Sequence, residues 1–192
     1  MTQPLDASQA RPLEGGASFT LGNRLFRLVW MAVWLVFARF TPPPLHGWRR
    51  LVLRLFGARI GRSARVHASA MIWLPGNLDL GDHVLIGPGV RLYNQGRITV
   101  GPRTVISQRA HICASTHDVG DPHFQLQLRP IMIGAQCWVA AEAFVGPGVT
   151  MHDRAVLAAR GALFGDAEAD GIYAGNPAAF LKKRQLRAAG PA

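Results

Sequence analysis

The chain has 192 residues, 49% of them hydrophobic and only 17% charged, with a net charge of +10. That length and composition suit one well-cored domain and exclude a disordered chain, while 21 glycines and 13 prolines without an every-third-residue period exclude collagen. Two cysteines, Cys113 and Cys137, are too few for a disulfide framework and fit reduced thiols in a cytoplasmic protein.

Residues 1–23 read as a flexible N-terminus, and residues 24–58 as a basic and apolar helical segment. Residues 15–78 contain no acidic side chain but nine arginines: Arg24, Arg27, Arg39, Arg49, Arg50, Arg54, Arg59, Arg62 and Arg65. Such a field favours an anionic neighbour, whether membrane surface, phosphorylated substrate or nucleic acid. Within it, residues 28–38 form an uncharged run bounded by Arg27 and Arg39. A membrane span needs about 20 apolar residues, so this run is too short to cross, and it lacks the cleavage site of a signal peptide. It predicts a helix that packs on the body or lies in a membrane interface with arginines at its ends. Trp30, Trp34 and Phe37 fall at i, i+4 and i+7, a packing stripe rather than a base-stacking platform, so nucleic acid is not expected. Pro42, Pro43 and Pro44 stop the helix. A second helix is predicted over residues 46–56, closed by Gly57.

From Ile60 the chain repeats in sixes, with units beginning at Ile60, Val66, Ile72, Leu80, Ile86, Leu92, Val100, Ile106 and Ile112. After a break they resume at Ile133, Val139, Val145, Met151, Leu157 and Leu163. All 15 first positions are Ile, Leu, Val or Met, all 15 fifth positions are Gly, Ala, Val, Thr or Cys, and 10 of the 15 second positions are Gly, Ala, Ser or Cys. Apolar sixes do not match the helical period of 3.6. One short strand plus a tight corner does match: the first residue points inward and the small residues admit the turn. Three such units close a triangular coil, and coils stack to bury one another's faces. The prediction is an all-β solenoid, a parallel β-helix over residues 59–168. The third units of the first three coils, at Ile72, Leu92 and Ile112, are each followed by an irregularity: residues 78–79, residues 98–99, and a long loop at 118–132. Stacking puts all three on one edge, where function is expected.

The segments LRLFGARIG (53–61), LYNQGRITVG (92–101), ISQRAHICASTHD (106–118), AFVGPGVT (143–150) and AGNPAAFLKKR (174–184) carry a family resemblance. The chain resembles the hexapeptide-repeat acyltransferases, in the branch of galactoside, maltose and nodulation-type O-acetyltransferases, and more narrowly the colanic-acid biosynthesis acetyltransferases. The resemblance implies a left-handed β-helix, here of about five coils, with N-terminal helices and a C-terminal tail at 169–192 closing the donor groove. It implies a homotrimer with sites between adjacent prisms, and acetyl transfer from acetyl-CoA to a sugar hydroxyl of an exopolysaccharide precursor. No metal is required in such chemistry. His117, just before the extruded loop, matches the family's general base, for a neutral imidazole can take the proton of a weakly nucleophilic hydroxyl. Trp138, Ala141, Ala159, Gly161, Lys182 and Lys183 map onto positions that hold the donor. Asn94 and Asp118 are candidates for the acceptor, a sugar or lipid-linked oligosaccharide. Relatives commonly carry Thr-Lys where this chain has Phe164-Gly165, and a basic residue where Ala179 stands.

Three other readings compete: N-acetylation of an amino sugar, an inactive scaffold, and a metal site built from His83, His117 and His123 as in gamma-class carbonic anhydrases. Neutral imidazoles around zinc would require tetrahedral geometry, but the histidine spacing here differs from that family's. The arginine-rich segment, residues 24–65, is expected to make a peripheral contact with the anionic inner face of the membrane.

Overall fold

The computed structural model describes residues 3–185. Helix α1 (Ala7–Ala10) is capped by the Asp6 side chain, which accepts from the Ser8 N–H. Residues 3–20, expected as a flexible lead-in, are laid against the extruded loop. The Ala7 N–H donates to Gln125 Oε1 at 2.7 Å, Gln125 Nε2 donates to Leu5 O at 3.1 Å, and Phe19 is buried against Trp73. Helix α2 (Leu21–Phe37) starts at Thr20, whose hydroxyl accepts from Asn23 N–H, and stops ahead of the prolines. Helix α3 (His46–Leu55) follows, and Gly57 reverses the chain at φ +90°. Helix α3 falls where the sequence puts it, whereas α2 starts at Leu21, ahead of the 28–38 run and within residues 1–23, expected to be flexible. No helix among the described residues is long and apolar enough to cross a membrane.

The solenoid then winds through β1 (Arg59–Ile60), β2 (Arg65–Val66) and β3 (Met71–Ile72), then β4 (Leu78–Leu80), β5 (Leu85–Ile86) and β6 (Arg91–Tyr93). The third coil is β7 (Ile98–Val100), β8 (Val105–Ile106) and β9 (His111–Cys113). There the chain leaves as an antiparallel hairpin, β10 (Ser115–His117) and β11 (Leu126–Leu128). It re-enters as β12 (Ile131–Ile133), β13 (Trp138–Val139) and β14 (Phe144–Val145), then β15 (Thr150–Met151), β16 (Val156–Leu157) and β17 (Ala162–Leu163). Three parallel sheets result: β1-β4-β7-β12-β15, then β2-β5-β8-β13-β16-β18, then β3-β6-β9-β14-β17. A bridge from Met151 to Ala167 and strand β18 (Gly171–Gly175) begin a sixth coil, one part-turn more than the five expected. Strand β19 (Ala178–Lys183) folds back antiparallel on β18 and ends the second sheet. Residues 186–192 of the expected tail lie outside the described residues.

The hexapeptide pattern acquires physical causes here. All 15 first positions are buried and form one continuous core along the prism. The small second positions answer to the coil above as much as to the turn: a Cβ on Gly101 would lie 2.6 Å from the Gly134 carbonyl carbon. Many fourth positions bend left-handed at the corner, as at His83, Arg103, Arg109, Gln136, Glu142, Arg154 and Arg160. Thr116 is the one fifth position that is exposed, because its unit has already left the prism in the hairpin.

The N-terminal helices close the first coil. The Trp30 indole N–H donates to Ile72 O at 2.8 Å. Arg49, fully buried, donates to Val66 O, Thr41 Oγ1, Pro42 O, Pro43 O and His46 Nδ1. Arg50 and Arg54 donate to Ala64 O and Ile60 O. These arginines therefore satisfy carbonyls that the prolines and the open end of the solenoid leave without partners.

Arg49→Met keeps the apolar bulk but strands those acceptors, and it is expected to lower unfolding free energy by about 3 kcal/mol, read from a denaturant midpoint. Burial is the main cause that pushes His46, His67 and His111 below the ordinary 6.5. Their folded values lie below the unfolded one, so the stability they permit is complete above 6.5 and is lost as pH falls through the folded values. The thermal midpoint should accordingly fall between neutral pH and about pH 5; a flat profile there would count against the burial of these rings.

Candidate active site

His117 is the last residue of β10, where the chain departs from the edge between the third and first sheets. Two contacts hold its ring. It stacks on Phe124 with centroids 4.2 Å apart and planes 11° apart, and its Nδ1 lies 2.8 Å from Phe124 O. A carbonyl oxygen can only accept, so the proton sits on Nδ1 and Nε2 is left as the basic nitrogen. The loop that supplies both contacts is tied back by Asp118 N–H to Gln125 O and by Asp121, which accepts from the N–H groups of His123 and Gln125.

A cavity of about 670 Å³ opens beside His117. Ser115, Thr116 and Leu126 of the hairpin line it, with Tyr93 and Gln95 from the coil below and Trp73 from the coil below that. Residues 15–19 and the first turns of α2, through Arg24 and Arg27, form the remaining wall. Arg27 lies over the Trp73 ring at 4.2 Å, a cation–π contact, and bonds Asn23 Oδ1. Gln95 Nε2 donates to the Tyr93 hydroxyl at 2.9 Å, while Gln95 Oε1 is buried with no partner. A buried amide oxygen without a donor is costly unless a ligand supplies one. Burial raises the Tyr93 hydroxyl above its ordinary value, so it stays protonated at neutral pH.

Asn94 does not reach this cavity. It is fully buried, its Oδ1 accepts from the N–H groups of Trp73 and Leu74, and its Nδ2 donates to Leu74 O. Asn77 repeats the motif one coil earlier in the chain, donating to the carbonyls of Asn94 and Gln95. Both asparagines hold the edge in shape, and the cavity groups are the residues on either side of Asn94. Asp118 is likewise occupied: its carboxylate accepts from Gly120 N–H and Gln127 Nε2, and it does not line the cavity. Arg27, Tyr93 and Gln95 were not singled out from the sequence. Only the stacking of the three irregular corners on one edge pointed toward the last two.

The donor-side candidates lie elsewhere on the prism. Trp138 is half exposed on β13, its indole N–H on Ser107 Oγ at 2.9 Å. Ala141 and Ala159 occupy successive corners between the second and third sheets, and their N–H groups take no part in the bonds between coils. Gly161 is buried, with its N–H on Ala158 O. Lys182 and Lys183 are exposed on β19 of the same second sheet. Lys183 Nζ reaches Ala169 O and Glu168 Oε2, whereas Lys182 has no ion-pair partner among the described residues. Phe164 is exposed beside Phe144. Cys137 is buried, which pushes its thiol up to about 11 and leaves it inert. His83 sits at a corner of the second coil and His123 in the exposed loop, and the described residues contain no group of three or more His, Cys, Asp or Glu placed to hold a metal.

No protein-family profile matches the chain. Over 166 residues it is 40% identical to a protein of Escherichia coli strain K12 named as a colanic acid biosynthesis acetyltransferase, WcaF, with 86% of this chain and 91% of the relative covered. Among solved structures it is similar to a maltose O-acetyltransferase from Clostridium difficile 630, with TM-score 0.79, 18% identity, and coverage of 87% and 90%. A hexapeptide-repeat acetyltransferase from Vibrio cholerae O1 biovar eltor, complexed with acetyl coenzyme A, matches with TM-score 0.77, 20% identity, and coverage of 87% and 91%. At those identities the two structures speak to the fold.

Because the Asn94 amide is taken up by backbone groups, Asn94→Ala should destabilise the fold by about 2 kcal/mol. The measurement is a denaturant midpoint. Unchanged stability with a selective loss of acceptor affinity would restore Asn94 as a direct contact.

Proposed function

The chain belongs to the hexapeptide-repeat acetyltransferases, with the colanic acid biosynthesis acetyltransferases as its near relatives, and on that premise we propose that it transfers acetyl from acetyl-CoA to a sugar hydroxyl of an exopolysaccharide precursor, with His117 as the general base. One observation supports the base above all. The Phe124 carbonyl holds a proton on Nδ1, so the lone pair of the neutral ring lies on Nε2 of a residue that lines the cavity. The stack on Phe124 holds the ring plane without a carboxylate partner.

The residues of the chain divide the work by chemistry. Nε2 accepts the acceptor hydroxyl proton as that oxygen attacks, and returns it to the leaving sulfur. Acetyl-CoA, when bound, supplies the activated thioester. Gln95 Oε1, buried and unpartnered, suits a sugar hydroxyl donor, and the Arg24 and Arg27 side of the cavity suits an anionic or hydroxyl-rich acceptor. Asp118 and Asn94 act by position: the first braces the loop beneath His117, the second fixes Tyr93 and Gln95. Lys182, exposed and without a carboxylate partner among the described residues, suits a phosphate of the donor, and the corner N–H groups of Ala141 and Ala159, which bond no group among those residues, suit its amide-rich arm. Trp138, Gly161 and Lys183 complete that groove.

This reading includes assembly. His117 leaves the edge between the third and first sheets, while the donor-side corners lie between the second and third. A homotrimer that sets one edge of a protomer against a different edge of its neighbour brings the two sets together. The reading also places residues 24–65 at an anionic membrane surface, where a lipid-linked sugar is within reach.

His117→Ala should keep its fold and assembly while turnover drops by roughly 10²–10⁴-fold, the usual loss for a general base. The assay is acetyl transfer to sugar acceptors from acetyl-CoA, with product analysis to separate ester from amide. Full activity of the variant would remove His117 from the mechanism, and failure of the wild type to bind acetyl-CoA in a calorimetric titration would remove acetyl transfer.

A further inference from the structure

Helix α2 is apolar on nearly every side. Its inward stripe consists of Arg27, Trp30, Val33 and Trp34, with Ala38 following, and packs on the first coil and on α3. Its outward face carries Leu21, Leu25, Leu28, Val29, Leu35 and Val36, all exposed. Val36 remains 67% exposed and Phe40, just beyond the helix, 81%. Helix α3 runs back beside α2, with the Trp48 indole N–H on Phe37 O and Phe56 against Phe26 and Trp30. It adds its own exposed stripe, Leu45, Trp48, Leu51 and Leu55. A helix hydrophobic all round is covered by something, and an exposed surface of this extent marks a docking site.

The charge around this face identifies what covers it. Among the described residues none of the nine arginines of the acid-free segment is in an ion pair. Arg49, Arg50 and Arg54 bond backbone carbonyls, and Arg27 is held over Trp73. Arg24, Arg39, Arg59, Arg62 and Arg65 remain, all exposed; the first two stand at either end of α2, with an uncharged stretch between Arg27 and Arg39, and the other three lie on the first coil. A second copy of this face would set arginine against arginine. An anionic lipid surface complements both features, taking the apolar side chains between its headgroups and the cations at the phosphate level.

We propose that the α2–α3 hairpin is an interfacial anchor that seats the outward faces of both helices on an anionic bilayer. Seating also orients the enzyme. The first turns of α2 supply Arg24 and Arg27 to the wall of the His117 cavity. An apolar groove of about 870 Å³ between α2 and the third sheet adjoins that cavity through Trp73, Tyr93 and Cys113. The cavity is thus held beside the lipid surface by the helix that makes the contact. This inference rests on the membrane part of the reading above and is independent of acetyl transfer.

The experiment is co-sedimentation of the full chain with vesicles of phosphatidylglycerol in phosphatidylcholine and with vesicles of phosphatidylcholine alone. The expected result is binding to the anionic vesicles that weakens with added salt, and much weaker binding to the neutral ones. Leu28→Gln with Val36→Gln should reduce anionic-vesicle binding more than about tenfold, and Arg39→Gln about fivefold on anionic vesicles only. Light scattering of the same proteins reports assembly, circular dichroism reports folding, and calorimetry with acetyl-CoA reports the donor site. Absence of binding to anionic vesicles overturns the proposal, as does equal binding to neutral ones. It is also overturned if the double variant changes the mass of the assembly but not vesicle binding, for the face then lies between copies. Should the double variant not fold, Arg39→Gln and the salt dependence decide alone. Donor binding without vesicle binding sinks the anchor and leaves the enzyme; the reverse pattern sinks the enzyme and leaves the anchor.

Discussion

The close approach of one coil's corner to the next governs the rest of this structure. With Gly101 already within van der Waals reach of the Gly134 backbone, the prism can neither widen nor slip without opening a ladder bond. Every first position must therefore be a buried aliphatic side chain, and extra residues are taken up at a corner. They occur at one corner only, between the third sheet and the first, where two coils lengthen the next strand (β4 and β7) and the third releases the hairpin. A rigid stack thereby turns three separate sequence irregularities into one continuous edge.

That edge is built in layers. Trp73 and Asn77 belong to its first layer, Tyr93, Asn94 and Gln95 to its second, and the hairpin with His117 to its third. Side-chain amides replace the ladder bonds that the irregular backbone cannot make, so Asn77 and Asn94 are buried, Gln95 is buried beside them, and Tyr93 stays partly exposed. Sites placed on a rigid framework but carried by its loops combine precision with chemical variety. Here the hairpin brings an imidazole whose tautomer is fixed by the carbonyl of its own loop, so one 14-residue excursion, from Ser115 to Leu128, sets both the position and the tautomer of the ring.

Much of this was legible from the sequence because a period of six is a strong and purely local signal. The coils, the two helices, the extruded loop and His117 at its base all follow from spacing or from motif. Tertiary events were harder to read. Asn94, on the coil before His117, reads as a candidate for the acceptor, and nothing local reveals that its amide is consumed by Trp73 and Leu74. Gln95 and Arg27 belong to the cavity only because a coil and a helix meet there, a contact between segments 68 residues apart in the chain. The arginine count was also read too simply. Nine cations in an acid-free stretch suggested one field, whereas three of them cap carbonyls at the open end of the solenoid and a fourth stacks on an indole.

The N-terminal segment is more than a lid on the first coil, and the geometry ties its roles together. An open solenoid end needs a cover, and the inward faces of α2 and α3 provide it through Trp30, Arg49, Val52 and Leu53. A helix covering the end of a narrow prism can bury only one side. Its other side is free to evolve toward a partner without disturbing the core, and here that side is aliphatic from Leu25 to Val36. Because the same helix begins at the cavity wall, whatever engages its outer face is coupled in space to the cavity beside His117. Ahead of it, α1 is joined to the extruded loop through Gln125, and Gln125 lies next to Phe124, the residue that fixes His117. The end cap, the outer apolar face and the extruded loop are therefore one connected unit on the rigid stack.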